Sequence, residues 1–345
     1  MLTEKEIIEI REHLESSQNP LFYFDNDTDG LCSFLLLRRF LGRGNGVVIK
    51  SYPSLDESFA RKIKELNPDK VFILDKPEVS DEFLNYAEEK NIPVVWIDHH
   101  APKNPKNAYY YNPRTRDPEI YIPTSYLCYQ VVRKDEWIVL MGCLGDHYLP
   151  PHDFIKRFVK EYPDLFDKND DIWKARYETD IGKLIRLVDF SLKDRTTSVI
   201  NMLRAMTSSK GPYEILKREK QYESMWKRFE QINKKYRALI ERALENKNEK
   251  YVFFKYSGDL SISRELSEEL NYHFPDKVIA VLYVRDETVK ISLRGGKGDL
   301  DLRKICADIL KKIEGAGGGH MKAVGMMIKT KDIDKFKELL EKEIL

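Results

Sequence analysis

Three short apolar runs, Leu21–Phe24, Val71–Leu74 and Val94–Ile97, each stop at an acidic residue. The first runs into Asp25-Asn-Asp27-Thr-Asp29-Gly30, the second into Asp75, and the third into Asp98-His99-His100. Four apolar residues in a row suit a strand covered on both faces better than a helix, which needs more length. Between the runs, 31–41, 57–66 and 81–90 carry helical spacing, and Val47–Tyr52 reads as one more strand. Strands alternating with helices at this interval predict βαβ units and a parallel sheet. Open sheets of that kind place their sites beyond the C-terminal ends of the strands. The acidic and imidazole groups are therefore expected to gather along one edge. Thr3-x-x-Glu6, with Ile7, Ile8, Ile10 and Leu14 behind it, predicts a capped opening helix over 3–16. Thr124–Val132 and Glu136–Leu144 read as helices, the second apolar enough to leave a strand open, and Gly145-Asp146-His147 follows it.

A chain of 345 residues has room for two or so domains. The pattern predicts an α/β N-terminal parallel-sheet domain over 1–185, a helical linker over 186–250, and a smaller α/β domain over 251–345. In the linker, Tyr222, Met225, Trp226, Phe229, Ile232 and Tyr236 recur at spacings of three and four. They predict a long amphipathic helix packed on its own domains, with Gly211-Pro212 breaking the segment before it. In the last domain, 251–256, 278–284, 289–293 and 322–328 read as strands, and 264–272, 301–313 and 332–344 as helices.

The net charge of +1 hides an asymmetry. Residues 1–190 hold 26 basic and 33 acidic side chains, whereas 191–250 hold 15 and 8. A nuclease can use carboxylates for metals and Lys or Arg for phosphates, but a basic helical stretch is also an ordinary solvated face. Abundant Lys, Glu, Tyr and Ile with scarce Gln resemble a thermophile's composition. Cys32, Cys128, Cys143 and Cys306 form no CxxC pair, so neither a disulfide framework nor a thiolate zinc site is expected. No apolar stretch approaches the roughly 18 residues of a membrane span, and Met-Leu-Thr-Glu-Lys-Glu, without a basic-then-apolar pattern, is not expected to be a secretory leader. A cytoplasmic protein without a membrane partner is expected.

An Asp after a strand is often just the cap of the next helix, and a lone Asp75 would be read so. The triplet Asp25, Asp27 and Asp29 is harder to explain in that way. At strand-like spacing the three side chains would share one side and repel one another without a cation. A calcium loop is the rival explanation, but its twelfth position is Leu36 where a bidentate Glu is needed. Taken together, the acids and imidazoles suit two divalent ions about 4 Å apart. Mixed oxygen and nitrogen ligation favours two Mn2+, with Mg2+ a poorer match and zinc lacking a thiolate. Such a pair can activate water and clamp the attacking and leaving oxygens of a phosphodiester.

A second cluster lies near the C-terminus. Gly315-Ala-Gly317-Gly318-Gly319-His320 precedes one strand, and Ser292-Leu-Arg294-Gly295-Gly296 closes another. A glycine run is often only a flexible loop. With His320 at its end and Arg294 nearby, it is expected to bind phosphate through close backbone N–H groups.

These motifs, in this order, resemble the DHH phosphoesterase superfamily in the branch carrying a DHHA1 domain: DNDTDG at 25–30, Asp75, DHH at 98–100, GD at 145–146, SLRGG at 292–296 and GGGH at 317–320. The resemblance implies a DHH catalytic domain over 1–185 and a DHHA1 substrate-binding domain over 251–345, facing each other across a cleft. It implies that Asp25 and Asp27 hold one ion, that Asp29, His99 and Asp146 hold the other, and that Asp75 bridges both. Asp98 would orient His99, and His100 would sit by the scissile phosphate. Ser292, Arg294, Gly318, Gly319 and His320 would bind substrate. Asp25, where many relatives have His, resembles RecJ-type nucleases and their archaeal relatives, including the Hef-associated group.

The expected activity is a metal-dependent exonuclease acting on single-stranded DNA or RNA, 3′→5′ by analogy. A phosphodiesterase for nanoRNA, pAp or cyclic dinucleotides is the enzymatic alternative. A subunit of a repair or replication complex, docking a helicase or replisome protein through 213–245, is the third reading. Tyr109, Tyr110 and Tyr111, with Arg114 and Arg116, offer base stacking or else an ordinary packed loop.

Overall fold

In the computed structural model, which describes residues 1–50, 54–245, 250–296, 298 and 300–344, the predicted strand runs of the N-terminal half all pair in parallel. The chain divides into two compact units, Met1–Phe229 and Glu230–Leu345.

The first unit begins with α1 (Glu4–Ser16), β1 (Pro20–Asp25), α2 (Thr28–Leu41) and β2 (Asn45–Ile49). There follow β3 (Ser54–Leu55), α3 (Ala60–Leu66), β4 (Lys70–Leu74), β5 (Glu78–Val79), α4 (Asp81–Glu89), β6 (Val94–Ile97) and β7 (Tyr109–Tyr111). Helices complete it: α5 (Thr124–Val132), α6 (Glu136–Gly145), α7 (His152–Glu161), α8 (Ile172–Glu178), α9 (Asp180–Leu192), α10 (Thr196–Ser208) and α11 (Pro212–Leu216). Next, α12 (Glu223–Glu245) runs across the division between the units. The predicted strand over 47–52 begins earlier, at Asn45, and its last two residues lie outside the described ones.

The main sheet has the order β2-β1-β4-β6-β7. After β1 the chain steps to one side to form β2 and then returns past β1 to form β4, so the order reverses between β1 and β4. A crevice opens beyond the strand ends at such a switch point. Every residue of β6, and all of β1 except Asp25, is buried, as the continuous apolar runs require of strands covered on both faces.

Local signals set several boundaries. Thr3 Oγ1 accepts from the Glu6 backbone N–H at 3.2 Å, while the Glu6 carboxylate accepts from the Thr3 N–H at 2.7 Å, which is the predicted capping box. Asp27 caps α2, and Gly42 ends it in a left-handed conformation (φ 76°). The segment after Glu136, left open as strand or helix, is helical. The three tyrosines form the edge strand β7, with Tyr111 buried and Tyr109 exposed. Arg116 is ion-paired with Glu6 at 2.5 Å, and Arg114 Nε donates to the Pro118 carbonyl at 2.9 Å. The six stripe residues from Tyr222 to Tyr236 are all buried.

The second unit contains β8 (Tyr251–Ser257), α13 (Ser263–His273), β9 (Val278–Arg285), β10 (Thr288–Gly295), α14 (Leu302–Leu310), β11 (Gly315–His320), β12 (Ala323–Lys329) and α15 (Ile333–Ile344). Its mixed sheet has the order β11-β12-β10-β9-β8, with β8 and β9 parallel and the other pairs antiparallel. Side chains such as Leu282, Ile291 and Val324 form one core with Leu302 and Ile309 of α14 and Phe336 of α15. One sequence expectation needs correction here. The glycine run is not a loop preceding a strand: Gly315–His320 is itself the edge strand β11, in register with β12. Cross-strand pairing, which no local signal reports, decides this.

Candidate metal centre

The first carboxylate, Asp25, is the last residue of β1. The chain then turns at once into α2, so Asp27 is the helix cap and its Oδ1 accepts from the Gly30 N–H at 3.0 Å. Asp29 falls in the first helical turn and is buried. The expectation that the three acids share one side at strand spacing is therefore not met, because the helix starts at Thr28, three residues before its apolar pattern does. Gly30 makes the turn possible: a Cβ there would lie 2.7 Å from the Asp25 carbonyl oxygen.

Asp75 follows β4 in a left-handed conformation (φ 59°), uncommon for a residue with a side chain and tolerated best by Asn and Asp. Its N–H still donates to the Ile97 carbonyl at 3.0 Å. Its Oδ1 lies 3.2 Å from His99 Nε2 and accepts from Thr124 Oγ1 at 3.1 Å. The same His99 Nε2 lies 3.2 Å from Asp146 Oδ2, at the C-terminal end of α6. Asp29 faces the N-terminus of α5, accepting from the Thr124 N–H at 2.7 Å, the Ser125 N–H at 3.0 Å and the Ser125 hydroxyl. Two triads result, Asp29 with His99 and Asp146, and Asp75 with His99 and His100, each with ligand atoms within 4.8 Å of one another.

The Asp98 expectation is corrected by this geometry. Asp98 holds His100, not His99: Oδ1 lies 2.8 Å from His100 Nδ1, and Oδ2 accepts from the His100 N–H at 3.0 Å. Asn112 Nδ2 donates to the His100 carbonyl at 3.0 Å and braces the same turn. His99 Nδ1 is buried with no hydrogen-bond partner among the described residues.

Burial, with the charges of Asp75 and Asp146, holds the Asp29 carboxyl well above its ordinary range. Burial and Asp27 push Asp25 up to about 7 against the opposing pull of Lys76. Asp75 is held low, because the hydrogen bond and charge of His99, together with His100, outweigh its burial. His99 is raised well above its usual value in turn, since Asp75 and Asp146 outweigh its desolvation. Asp98 raises His100 in the same way. Acids that crowd one another this closely are relieved by protons or by a cation.

The donor chemistry fits one divalent ion well. Asp29 and Asp146 offer oxygen beside His99 in one triad, and Asp75 offers oxygen beside the same His99 in the other, a mixed set suited to manganese. Asp25 and Asp27 belong to neither triad. Instead, Asp25 Oδ1 receives the Lys76 ammonium at 2.7 Å, and Lys76 is fully buried.

In the second unit, Ser292 is buried and its hydroxyl lies 3.2 Å from that of Ser263. Arg294 Nη2 lies 3.5 Å from Glu268 Oε1, the same oxygen that Arg264 Nε reaches at 3.1 Å. Burial lowers the Arg294 pKa from its usual value. Gly318 pairs with Gly325, and a Cβ on Gly318 would meet nothing within 4 Å, so this part of the strand surface is bare backbone. Gly319 has a φ of 150° and lies so close to Ala323 that a Cβ would clash with its carbonyl. The His320 side chain lies outside the described residues.

Four residues at the centre were not singled out from sequence: Lys76, Tyr121, Thr124 and Ser125. The Tyr121 hydroxyl donates to the Asp146 carbonyl at 2.8 Å. Pro-Thr-Ser ahead of an apolar helix is a start signal that could have flagged Thr124 and Ser125. For Lys76 and Tyr121 no local signal exists.

The chain matches the DHH family N-terminal domain over residues 21–144 and the DHHA1 domain over 247–345. Carrying both domains in this order, it belongs to the DHH family with a DHHA1 domain. Its fold is similar to that of RecJ from Thermus thermophilus in complex with Mn2+ (TM-score 0.71, 12% identity, 98% of this chain and 54% of that one). It thus spans about half the length of that RecJ. It is also similar to CDC45 from Entamoeba histolytica (0.58, 11%, 99% of both chains). A third likeness is to the pGpG-specific phosphodiesterase from Vibrio cholerae (0.55, 15%, 94% and 99%). At these identities the likeness is one of fold. No curated protein matches the chain in sequence. Among the described residues no helix is long and apolar enough to cross a membrane, and all four cysteines are free and buried.

Proposed function

We propose that this chain is a manganese-dependent exonuclease hydrolysing phosphodiester bonds of single-stranded DNA or RNA from an end. The observation that carries the reading is the convergence of Asp75, His99 and Asp146, from the ends of two strands and a helix, around His99 Nε2. With Asp29 they form a nest of hard ligands in a buried setting at the switch point of a parallel sheet. A divalent ion held there supplies Lewis acidity toward a phosphodiester and toward water. The chain's own groups do the rest. Thr124 and Ser125 pin Asp29 and Asp75, so the ligand oxygens are set before an ion arrives. Asp98 binds His100 through Nδ1, which leaves Nε2 to face a phosphate oxygen. The same contact raises the His100 pKa and so favours the protonated ring. Manganese is preferred over magnesium because an imidazole belongs to the set.

In the second unit, Arg294 and the bare backbone of Gly318 and Gly319 are assigned to substrate phosphates, with Ser292 and His320 beside them in the motif. Membership of a superfamily that includes RecJ nucleases supports nucleic acid as the substrate. A phosphodiesterase for short oligonucleotides is the competing reading, and the fold shared with a pGpG phosphodiesterase favours it as the alternative. A docking role for the α12 stripe is disfavoured, because its apolar residues are buried.

Digestion of end-labelled DNA and RNA oligomers of two to twenty nucleotides with Mn2+ tests the proposal. Stepwise shortening of twenty-mers supports it, and the labelled end reports direction. Cleavage of dinucleotides alone, with twenty-mers untouched, transfers the assignment to the short-substrate enzyme.

A further inference from the structure

We propose that the Lys76 ammonium occupies the cation position beside Asp25 and Asp27, so that the centre holds one divalent ion and one fixed lysine charge rather than two ions. This rests on the metal-dependent phosphoesterase reading above. It departs from the two-ion arrangement that the resemblance implies.

Lys76 is fully buried, and its Nζ lies 2.7 Å from Asp25 Oδ1. An ammonium out of water is tolerated only when paired, and this one is paired with the acid expected to ligate the second ion. The backbone around it is fixed. The Trp96 indole N–H donates to the Lys76 carbonyl at 3.0 Å, and the left-handed turn at Asp75 sets the direction in which the next residue leaves the strand. The side chain has no exposed surface, so the ammonium is held among protein groups rather than water. A divalent ion on Asp25 would sit within about 5 Å of the ammonium, where two like charges in a poorly screened site repel each other. Among the described residues the groups able to hold an ion draw on Asp29, Asp75, His99, His100 and Asp146, and include neither Asp25 nor Asp27. A lysine supplies a compact positive charge for a phosphate oxygen but no open coordination position. Asp29, Asp75, His99 and Asp146 would then hold the one ion, which would supply Lewis acidity there.

Counting Mn2+ bound at equilibrium by metal-stripped full-length protein, from the loss of the free-ion EPR signal, tests the inference without an activity assay. Wild type is expected to bind one Mn2+ per chain. Lys76→Met is expected to bind two, and Lys76→Met with Asp27→Asn one again. Two ions in wild type overturn the inference and leave the phosphoesterase reading standing. No bound ion overturns both. One ion in wild type and still one in a folded Lys76→Met protein removes Lys76 as the excluding group. Circular dichroism reports whether Lys76→Met folds. If it does not, the wild-type count alone decides between one ion and two.

Discussion

Asp75 and His99 stand at the ends of neighbouring strands, β4 and β6, and their side chains meet at 3.2 Å. Parallel register brings the two strand ends level, and the left-handed backbone at Asp75 accompanies the turn that brings its carboxylate beside the imidazole. The pair joins two ligand sets, since His99 also reaches Asp146 and Asp75 also accepts from Thr124.

Replacing Asp75 by Ala removes this shared ligand. Hydrolysis is expected to fall by about a thousandfold or more, with Mn2+ binding lost, because the ion's charge stabilisation goes with it. The far-UV circular dichroism spectrum should be unchanged. Retention of a tenth of wild-type turnover in metal-defined buffer contradicts the role.

Asp98→Asn tests a different contact. Asp98 holds His100 and not a residue of the Asp29 triad, so the variant is expected to lose about 10–100-fold in kcat while still binding Mn2+. Loss of ion binding would mean that Asp98 supports His99 after all.

Metal binding should release protons. Without an ion, the hydrogen bond that His99 donates to Asp75 and the charge of Asp146 hold a proton on the ring above the usual imidazole range, and an ion displaces it. The group's pKa is raised, so the competing protonated form grows as pH falls. Mn2+ affinity is therefore expected to weaken steadily toward acid pH. Calorimetry in buffers of different ionisation enthalpy reads the released protons directly, and a buffer-independent enthalpy rules the linkage out.

Much of this centre could be read from sequence, for a physical reason. A four-residue apolar run ending in Asp reports both burial and the place where burial stops, which locates Asp25, Asp75 and Asp98 on the strand edge. Asp29 was harder. Helix α2 starts at its cap, Asp27, whereas the apolar periodicity starts only at Leu31, so the triplet read as extended. The glycine run gave no strand signal, because its strand character comes from register with β12. Lys76 looked like any charged residue beside an acid. Its burial depends on how β4, Trp96 and Asp25 meet, and that is a tertiary fact. The resemblance pairs Asp98 with His99, whereas the turn after β6 brings the His100 ring and N–H onto its carboxylate, and no sequence signal reports that local contact.

Arg294→Ala is expected to weaken oligonucleotide binding about tenfold and leave Mn2+ binding unchanged. Glu268 keeps Arg264 at 3.1 Å, so the change leaves no unpaired buried acid. Filter binding at several salt concentrations checks this, and unchanged affinity contradicts the assignment.

Asp69 supplies an acid-sensitive clamp. Hydrogen bonds from Ser17 Oγ at 2.5 Å, the Gln18 N–H at 2.5 Å and the Asn19 N–H at 3.0 Å outweigh its desolvation and hold its pKa low. A depressed folded-state pKa contributes stability that is complete above the unfolded value and lost as pH falls through the folded one. Asp69→Asn should cost about 1 kcal/mol near neutral pH, a modest figure because the site is exposed. The difference in Tm from wild type should shrink as pH falls below the ordinary carboxylate range. A constant difference across that range would contradict the clamp.

The centre itself is tested most directly by anomalous diffraction at the manganese edge from crystals grown with Mn2+. The account predicts a peak within coordination distance, about 2–2.5 Å, of Asp29, Asp75, His99 Nε2 and Asp146. Density at the strand ends without an anomalous peak, or a peak only elsewhere on the surface, would contradict it.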